Sequence, residues 1–342
     1  MNYFEKTVLI TGGLGFSGSH LAVHYVQSGR NVFIVDNLSD SSLTVLSDIH
    51  NLVGEKNVVF DELDIKQYPA VLAYIKNHPS IDLVIHCAHL KSLDESKQDS
   101  FSYYTNNING TINVLKAMKE GGIKHFVYHS TAALYDVSKS IPPYHENDAI
   151  KPFNAYGTSK YVCEQLINDM SAREGFSSII IRTSKIVGMH PSGELGKLSI
   201  YLKNDLVGSM YGSACGFWKS ISLMGSKSSH DGTYETDFIH IMDTVQGTYQ
   251  AGLWSEKHHT AGSQVFNLGT GQAYSYKTIL GFAEQATGCK IPYEIHNTLD
   301  THPLILSIAK AQKLLNRSPQ YTIQQAIADG WRYIKRHHLA IQ

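Results

Sequence analysis

Short runs of apolar and β-branched residues recur along the first half of the chain, at Thr7–Ile10, Val32–Val35, Val58–Phe60, Leu83–His86, His125–Tyr128 and Ile179–Arg182. Between them lie longer segments of helical period, near Ser17–Ser28, Tyr68–Asn77, Phe101–Glu120 and Ser159–Arg173. In the third, Ile108, Ile112, Leu115 and Met118 stand three or four residues apart and so share one helix face. Near-continuous apolar strands alternating with such helices predict an α/β, doubly wound parallel sheet covered on both faces. After Gly188 the pattern weakens. His190–Thr236 is rich in Gly, Ser and Pro and reads as loops and short elements, with helices returning at Ser275–Thr287, Ile308–Leu315 and Ile323–His337.

With 342 residues there is room for one large domain or a large domain with a smaller one attached. A formal net charge of -1 gives no electrostatic reason to expect nucleic acid or an acidic membrane surface as partner. The apolar run in MNYFEKTVLITGG is too short for a signal peptide, and no later stretch is long enough to span a membrane. Cys87, Cys163, Cys215 and Cys289 are scattered, which predicts reduced thiols in a cytoplasmic protein. The pairs His258/His259 and His337/His338 have no carboxylate or cysteine at ligand spacing, so solvated surface is expected there and no metal.

Directly after the first strand, TGGLGFSG spaces Gly12, Gly15 and Gly18 three apart and leads through Phe16 and Ser17 into a helix. Glycines are needed where the chain turns sharply and where backbone approaches a pyrophosphate, whose charge then rests on the amides of a helix N-terminus. Such a motif is informative only in this strand-turn-helix setting. The second strand ends in Asp36-Asn37, where a carboxylate accepts hydrogen bonds from an adenosine ribose and repels a 2′-phosphate, so NAD is the expected cofactor. Asp64 and Ile65 follow the third strand and would border the adenine. At the end of the fourth, Cys87, Ala88 and His89 are expected where backbone passes the cofactor, with Lys91 close behind.

Tyr156 and Lys160 stand four apart at the start of a helix, on one face and about one turn from each other. A phenol with a pKa near ~10 is a poor base at neutral pH, and a neighbouring ammonium favours its ionised form. Lys160 is therefore expected to tune Tyr156. A hydroxyl at the end of the preceding strand completes the set, and HSTAALY offers Ser130 and Thr131.

With these residues in place the chain resembles the extended short-chain dehydrogenase/reductase family. Within it the likeness is greatest to the NAD-dependent 4-epimerases of UDP-hexoses, over nearly the whole length. The matching stretches are TGGLGFSGSH, Asp36–Leu38, HCAHLK through Ser96, YYTNNINGT, the Tyr156/Lys160 element, VGMHPSG, DFIHIMD and VFNLGTG. The resemblance implies a Rossmann domain over residues 1–188, rejoined by elements around 237–273, and a smaller substrate-binding lobe formed mainly by 189–342. It maps the catalytic hydroxyl onto Thr131, the catalytic tyrosine and lysine onto Tyr156 and Lys160, and a cofactor-side asparagine onto Asn107. The mechanism it implies oxidises the sugar at C4, turns the 4-keto sugar over and reduces its other face. It also implies a homodimer that pairs the Phe101–Glu120 and Ser159–Arg173 helices.

The departures bear on the nucleotide sugar. After the sixth strand the 4-epimerase pattern Arg-Tyr-Phe-Asn reads Arg182-Thr183-Ser184-Lys185 here, so a substrate-contacting asparagine is replaced by Lys185. One arginine position holds Thr236, and a second, near Thr298–Thr301, is also without arginine. Guanidinium groups clamp phosphates with paired donors, so Lys185 or Lys197 is expected to substitute, or the bound sugar to carry a different nucleotide or none, with Lys91 expected against both cofactor and substrate. The alternatives are a related NAD-dependent dehydrogenase or dehydratase, and a non-catalytic NAD-binding scaffold. Ala132-Ala133 after Thr131 lacks the Asp-Glu pair of the dehydratases, and intact Thr131, Tyr156 and Lys160 argue against a scaffold.

Overall fold

The computed structural model describes residues 6–138, 141–196, 205–300 and 302–338; Lys197 and Thr301 lie outside them. In chain order the elements are β1 (Thr7–Thr11), α1 (Phe16–Gln27), β2 (Asn31–Asp36), α2 (Leu43–Val53), β3 (Val58–Glu62), α3 (Tyr68–Asn77), β4 (Ile81–His86), α4 (Leu93–Gln98) and α5 (Ser100–Tyr103). A π-helical turn (Tyr104–Asn109) leads into α6 (Gly110–Gly121), β5 (His125–Thr131), α7 (Ala155–Glu174), β6 (Ser177–Thr183) and β7 (Lys185–Val187). Then come α8 (Leu206–Ala214), β8 (Ile221–Ser226), β9 (Glu235–His240), α9 (Ile241–His258), β10 (Gly262–Leu268) and β11 (Ala273–Ser275). The chain closes with α10 (Tyr276–Thr287), β12 (Tyr293–Leu299), α11 (Ala309–Leu315) and α12 (Ile323–His338).

Two compact units result. The first takes in Met1–Leu134, Ile150–Arg182 and Val245–Phe266, and the second Tyr135–Ala149, Thr183–Thr244 and Asn267–Gln342. The first is built on a seven-stranded sheet ordered β10-β6-β5-β4-β1-β2-β3, with parallel pairing from β3 through β5. The chain runs outward from β1 to β3 and then returns to lay β4 on the other side of β1. That reversal opens a crevice at the C-terminal ends of β1 and β4, the place where open α/β sheets bind ligands.

Alternation along the strands sends Leu9, Val84, Phe126, Tyr128 and Ile180 to one face, where Val71, Tyr74 and Ile75 of α3, Val114, Leu115 and Met118 of α6, and Cys163 and Ile167 of α7 pack on them. Val8, Ile10, Ile34, Leu83 and Ile85 fill the other face. There Gly252 of α9 lies so close that a Cβ would come within 3.2 Å of Leu83 and 2.7 Å of the Tyr25 hydroxyl. The doubly wound parallel fold read from the pattern is the observed one.

Two elements differ from expectation for physical reasons. Helix α2 lies outside the expected elements: Leu46, Ile49 and Val53 share one face three or four apart, but only Ile49 is fully buried and Leu43 is half exposed. The expected single helix over Phe101–Glu120 is broken by the π-helical turn, which carries the fully buried Asn107. The second unit holds a three-stranded sheet β11-β9-β7 and a parallel pair β12-β8. Asp237 of β9 anchors it by accepting the N–H groups of Thr270, Gly271 and Leu306 and the Thr270 hydroxyl.

Candidate active site

The glycine turn is set by contact as well as by conformation. Gly12 has φ +64°, and a Cβ on it would lie 2.7 Å from the backbone of Ala88 at the end of β4. A Cβ on Gly18 would meet the Gly12 carbonyl oxygen at 2.3 Å. Gly15 caps α1 with extended backbone, and the first turn, including Phe16 and Ser17, has neither a capping side chain nor an acidic residue. The amides there are thus open to an anion, and the crowded glycines let it approach. Asp36, nearly buried, accepts hydrogen bonds from Leu14 N (3.1 Å), Leu38 N (3.0 Å) and the Ser41 hydroxyl (2.9 Å). A carboxylate offers about four acceptor sites, so one remains for a ribose hydroxyl. The Asn37 side chain turns back on Ser39.

After β3, Asp64 pairs with Lys66 at 3.3 Å, and Ile65 is buried against Gly110 at the start of α6. Lys91, exposed, reaches Asp40 at 3.6 Å and so bridges the loops that follow β4 and β2. Burial pushes the Cys87 thiol up to about 12 and holds the His89 imidazole well below its usual range. At neutral pH Cys87 therefore stays a thiol, the poorly nucleophilic form. Asn107 accepts Leu90 N–H (2.9 Å) and donates to Leu90 O (3.1 Å) and to the Ser159 hydroxyl (2.9 Å). Its amide therefore ties the loop after β4 to α7.

Helix α7 begins where Asn154 caps it, its side chain accepting Gly157 N–H at 2.7 Å, and this puts Tyr156 in the first turn. Thr131 ends β5, and its oxygen accepts Ala133 N–H at 3.2 Å, leaving its own O–H to donate to the Tyr156 oxygen. Ser130 points to the opposite face, as adjacent strand residues must, and donates to Glu164. Thr131 is thus the hydroxyl that meets the phenol. Burial holds Tyr156 above the ordinary phenol range, and the Thr131 hydrogen bond pulls it back down. Lys160, almost fully buried, donates to His129 O at 2.5 Å and lies 4.8 Å over the Tyr128 ring.

Burial lowers Lys160 to about 7. An unfolded lysine titrates near ~10.4. Between these values the unfolded chain carries the extra proton, so stability rises with pH from about 7 toward ~10, and the penalty is complete below about 7. In protein stripped of nucleotide, Lys160→Met is expected to flatten that rise in thermal unfolding between about pH 7 and 9. An identical pH dependence in the variant would refute the assignment.

In the second unit, Lys185 of β7 lies over the rings of Tyr276 (5.2 Å) and Phe238 (6.0 Å). Burial pushes its pKa down, but Tyr276 and Asp205 outweigh this and leave it raised. Thr236 is buried and donates to Leu304 O at 3.3 Å. Thr298 packs over Gly225. Arg317, Arg332 and Arg336, the arginines of this unit, are ion-paired with Asp243, Asp329 and Glu194 respectively. Among the described residues no group of three or more His, Cys, Asp or Glu side chains is arranged to hold a metal ion.

Sequence reasoning missed Asn154, Ser159, Glu164 and Arg182. For Glu164 the signal was the period: Tyr156, Lys160 and Glu164 are four apart along one face of α7.

A glycine turn at a switch-point crevice, beside a strand-end hydroxyl, a helix-start tyrosine and a buried lysine, defines a dinucleotide-dependent enzyme acting on a carbinol carbon. Residues 8–269 match the model of the NAD dependent epimerase/dehydratase family. The chain belongs to that family. It is 34% identical over 336 residues to a UDP-glucose 4-epimerase of Neisseria gonorrhoeae, covering 97% of this chain and 98% of the relative. It is 33% identical over 338 residues to UDP-glucose 4-epimerase 2 of Oryza sativa subsp. japonica, covering 97% and 82%. Among solved structures it is similar to a UDP-glucose-4-epimerase from Stenotrophomonas maltophila with bound NAD and formylated UDP-arabinopyranose, with TM-score 0.93, 30% identity and coverage of 98% and 99%. The UDP-glucose 4-epimerase of Bifidobacterium longum in complex with NAD+ and UDP matches with TM-score 0.89, 30% identity and coverage of 97% and 99%.

Proposed function

We infer that this protein is an NAD-dependent 4-epimerase of UDP-sugars, of the UDP-glucose/UDP-galactose type. The observation that carries the reading is the Thr131 hydroxyl set against Tyr156, easing its ionisation, beside a glycine cradle fit for a dinucleotide. NAD supplies the hydride acceptor for C4 of the sugar and the donor that returns it. Tyr156 takes the proton of the 4-hydroxyl and gives it back on the other face of the 4-keto sugar. Thr131 donates a hydrogen bond to the reacting oxygen, and Lys160 contributes positive charge that favours the phenolate when protonated. Because Tyr156 sits in the first turn of α7, the helix dipole adds to that preference.

In this reading the first unit holds the cofactor and the second the nucleotide sugar. Gly12, Gly15, Phe16, Ser17 and Gly18 cradle the pyrophosphate, Asp36 and Asn37 hold the ribose, and Asp64 and Ile65 border the adenine. Cys87, Ala88 and His89 form the wall at β4, with Lys91 above it. Asn107 serves at one remove, by positioning Leu90 and Ser159. Since every arginine of the second unit is paired, Lys185 is the cation we assign to the substrate diphosphate.

A thermal-shift and turnover screen over UDP-, GDP-, CDP- and dTDP-hexoses tests this. Stabilisation and C4 inversion are expected with UDP-glucose and UDP-galactose; no response to any of them would sink the nucleotide-sugar reading. The protein is further proposed to work as a cytoplasmic homodimer. No helix of the described residues is long and apolar enough to cross a membrane. The pairing face would include Phe101, 83% exposed on α5, with the partly exposed Ile108, Ile112, Val162 and Leu166. Sedimentation of the same preparation should read the mass of two chains, and a single-chain mass would refute it.

A further inference from the structure

The second unit contains two helix–strand segments laid side by side. Helix α8 ends at Ala214 with Cys215 as its cap, and β8 starts at Ile221. Helix α10 ends at Thr287, Gly288 turns the chain at φ +73°, Cys289 follows, and β12 starts at Tyr293. The two strands are parallel with Ile221 opposite Tyr293, and Ile221 N–H donates to Pro292 O at 2.9 Å. Two helices joined by short connections to strands in this register must end at the same edge of the strand pair, and α8 packs on α10. Cys215 and Cys289 therefore lie at the same end of the strand pair. The pKa of Cys215 is raised first by burial and then by its neighbour Cys289.

We propose that Cys215 and Cys289 form a thiol-modification site that low-molecular-weight disulfides such as glutathione disulfide convert to an internal bridge. Cys289 is exposed and reacts first; Cys215 is half-buried and resolves. The Cys289 thiolate displaces one glutathione thiolate from the oxidant and forms a mixed disulfide. The Cys215 thiolate then attacks the Cys289 sulfur, forms the Sγ–Sγ bond and releases the second glutathione. Two cysteine thiols are oxidised, each giving up a proton, and one glutathione disulfide is reduced to two thiols. The remaining cysteines do not compete: Cys163 is fully buried and donates to Asn107 O, and burial keeps Cys87 as a thiol. The bridge requires Cα atoms within about 7 Å, so the chemistry also tests the geometry.

The experiment treats the full-length protein, with NAD added, with glutathione disulfide and maps it by non-reducing proteolysis and mass spectrometry. A peptide linked through Cys215 and Cys289, two hydrogens lighter than its parts, is the expected product. Cys215→Ser should stop at glutathionylated Cys289, and Cys289→Ser should abolish the reaction. Bridge formation should speed up about tenfold from about pH 7 to 8, as the fraction of Cys215 thiolate grows. Wild-type protein that stays glutathionylated at Cys289 with no linked peptide, or that leaves Cys289 unmodified, would overturn the proposal.

Discussion

Tyr156→Phe is expected to lower epimerase turnover by about 10²–10⁴-fold while leaving NAD in place. The substitution removes one oxygen from a half-buried ring whose hydroxyl bonds to Thr131, and it leaves Asp36, the glycine turn and Lys160 untouched. Loss of the proton acceptor should appear in kcat, since the reacting oxygen then has only Thr131 to bond it. Thr131→Val should cost less, because the phenol survives and loses only the bond that eases its ionisation. The nucleotide absorbance that co-elutes in gel filtration, read beside turnover, separates the roles. A Tyr156→Phe protein that emptied of NAD would show a structural tyrosine instead.

The second large effect is on stability. Glu164 and Arg182 are both almost fully buried, and the guanidinium holds the carboxylate through Nε at 3.1 Å and Nη2 at 2.6 Å. Ser130, next to Thr131, donates to the same carboxylate. Glu164→Leu would leave a buried guanidinium without its counter-charge, so a loss of about 3–5 kcal/mol is expected in urea unfolding. Replacing both residues with Leu should recover much of that loss, because the pair itself repays little more than its desolvation. A single-variant loss below about 1 kcal/mol, the range of exposed pairs, would show that the pair is hydrated.

Much of the first unit was legible because its physics is local. Strand runs at Thr7–Ile10 and Leu83–His86 are apolar because both of their faces are covered, and Gly12 and Gly18 are glycine because backbone lies where a Cβ would be. Tyr156 and Lys160 were legible through a helical period. What sequence reasoning could not read depends on partners far along the chain. The amide contacts of Asn107 are of that kind, to Leu90 and Ser159, 17 and 52 residues away. So is the bond of the Lys160 ammonium to His129 O, 31 residues away. The residues alone left Ser130 and Thr131 open, the resemblance picked Thr131, and the opposite directions in which the two side chains leave β5 give that choice its physical reason.

The two units are interleaved, each assembled from three separate stretches of chain. The edge strand β10 joins the first sheet only after residues 183–244 of the second unit have been made. During synthesis the sheet therefore waits with the β6 edge uncovered, a long-range closure that is slow and open to mispairing. No single cut in the chain separates the two units into contiguous halves, so a truncated gene product would carry an unfinished sheet and neither unit could be borrowed whole as a module.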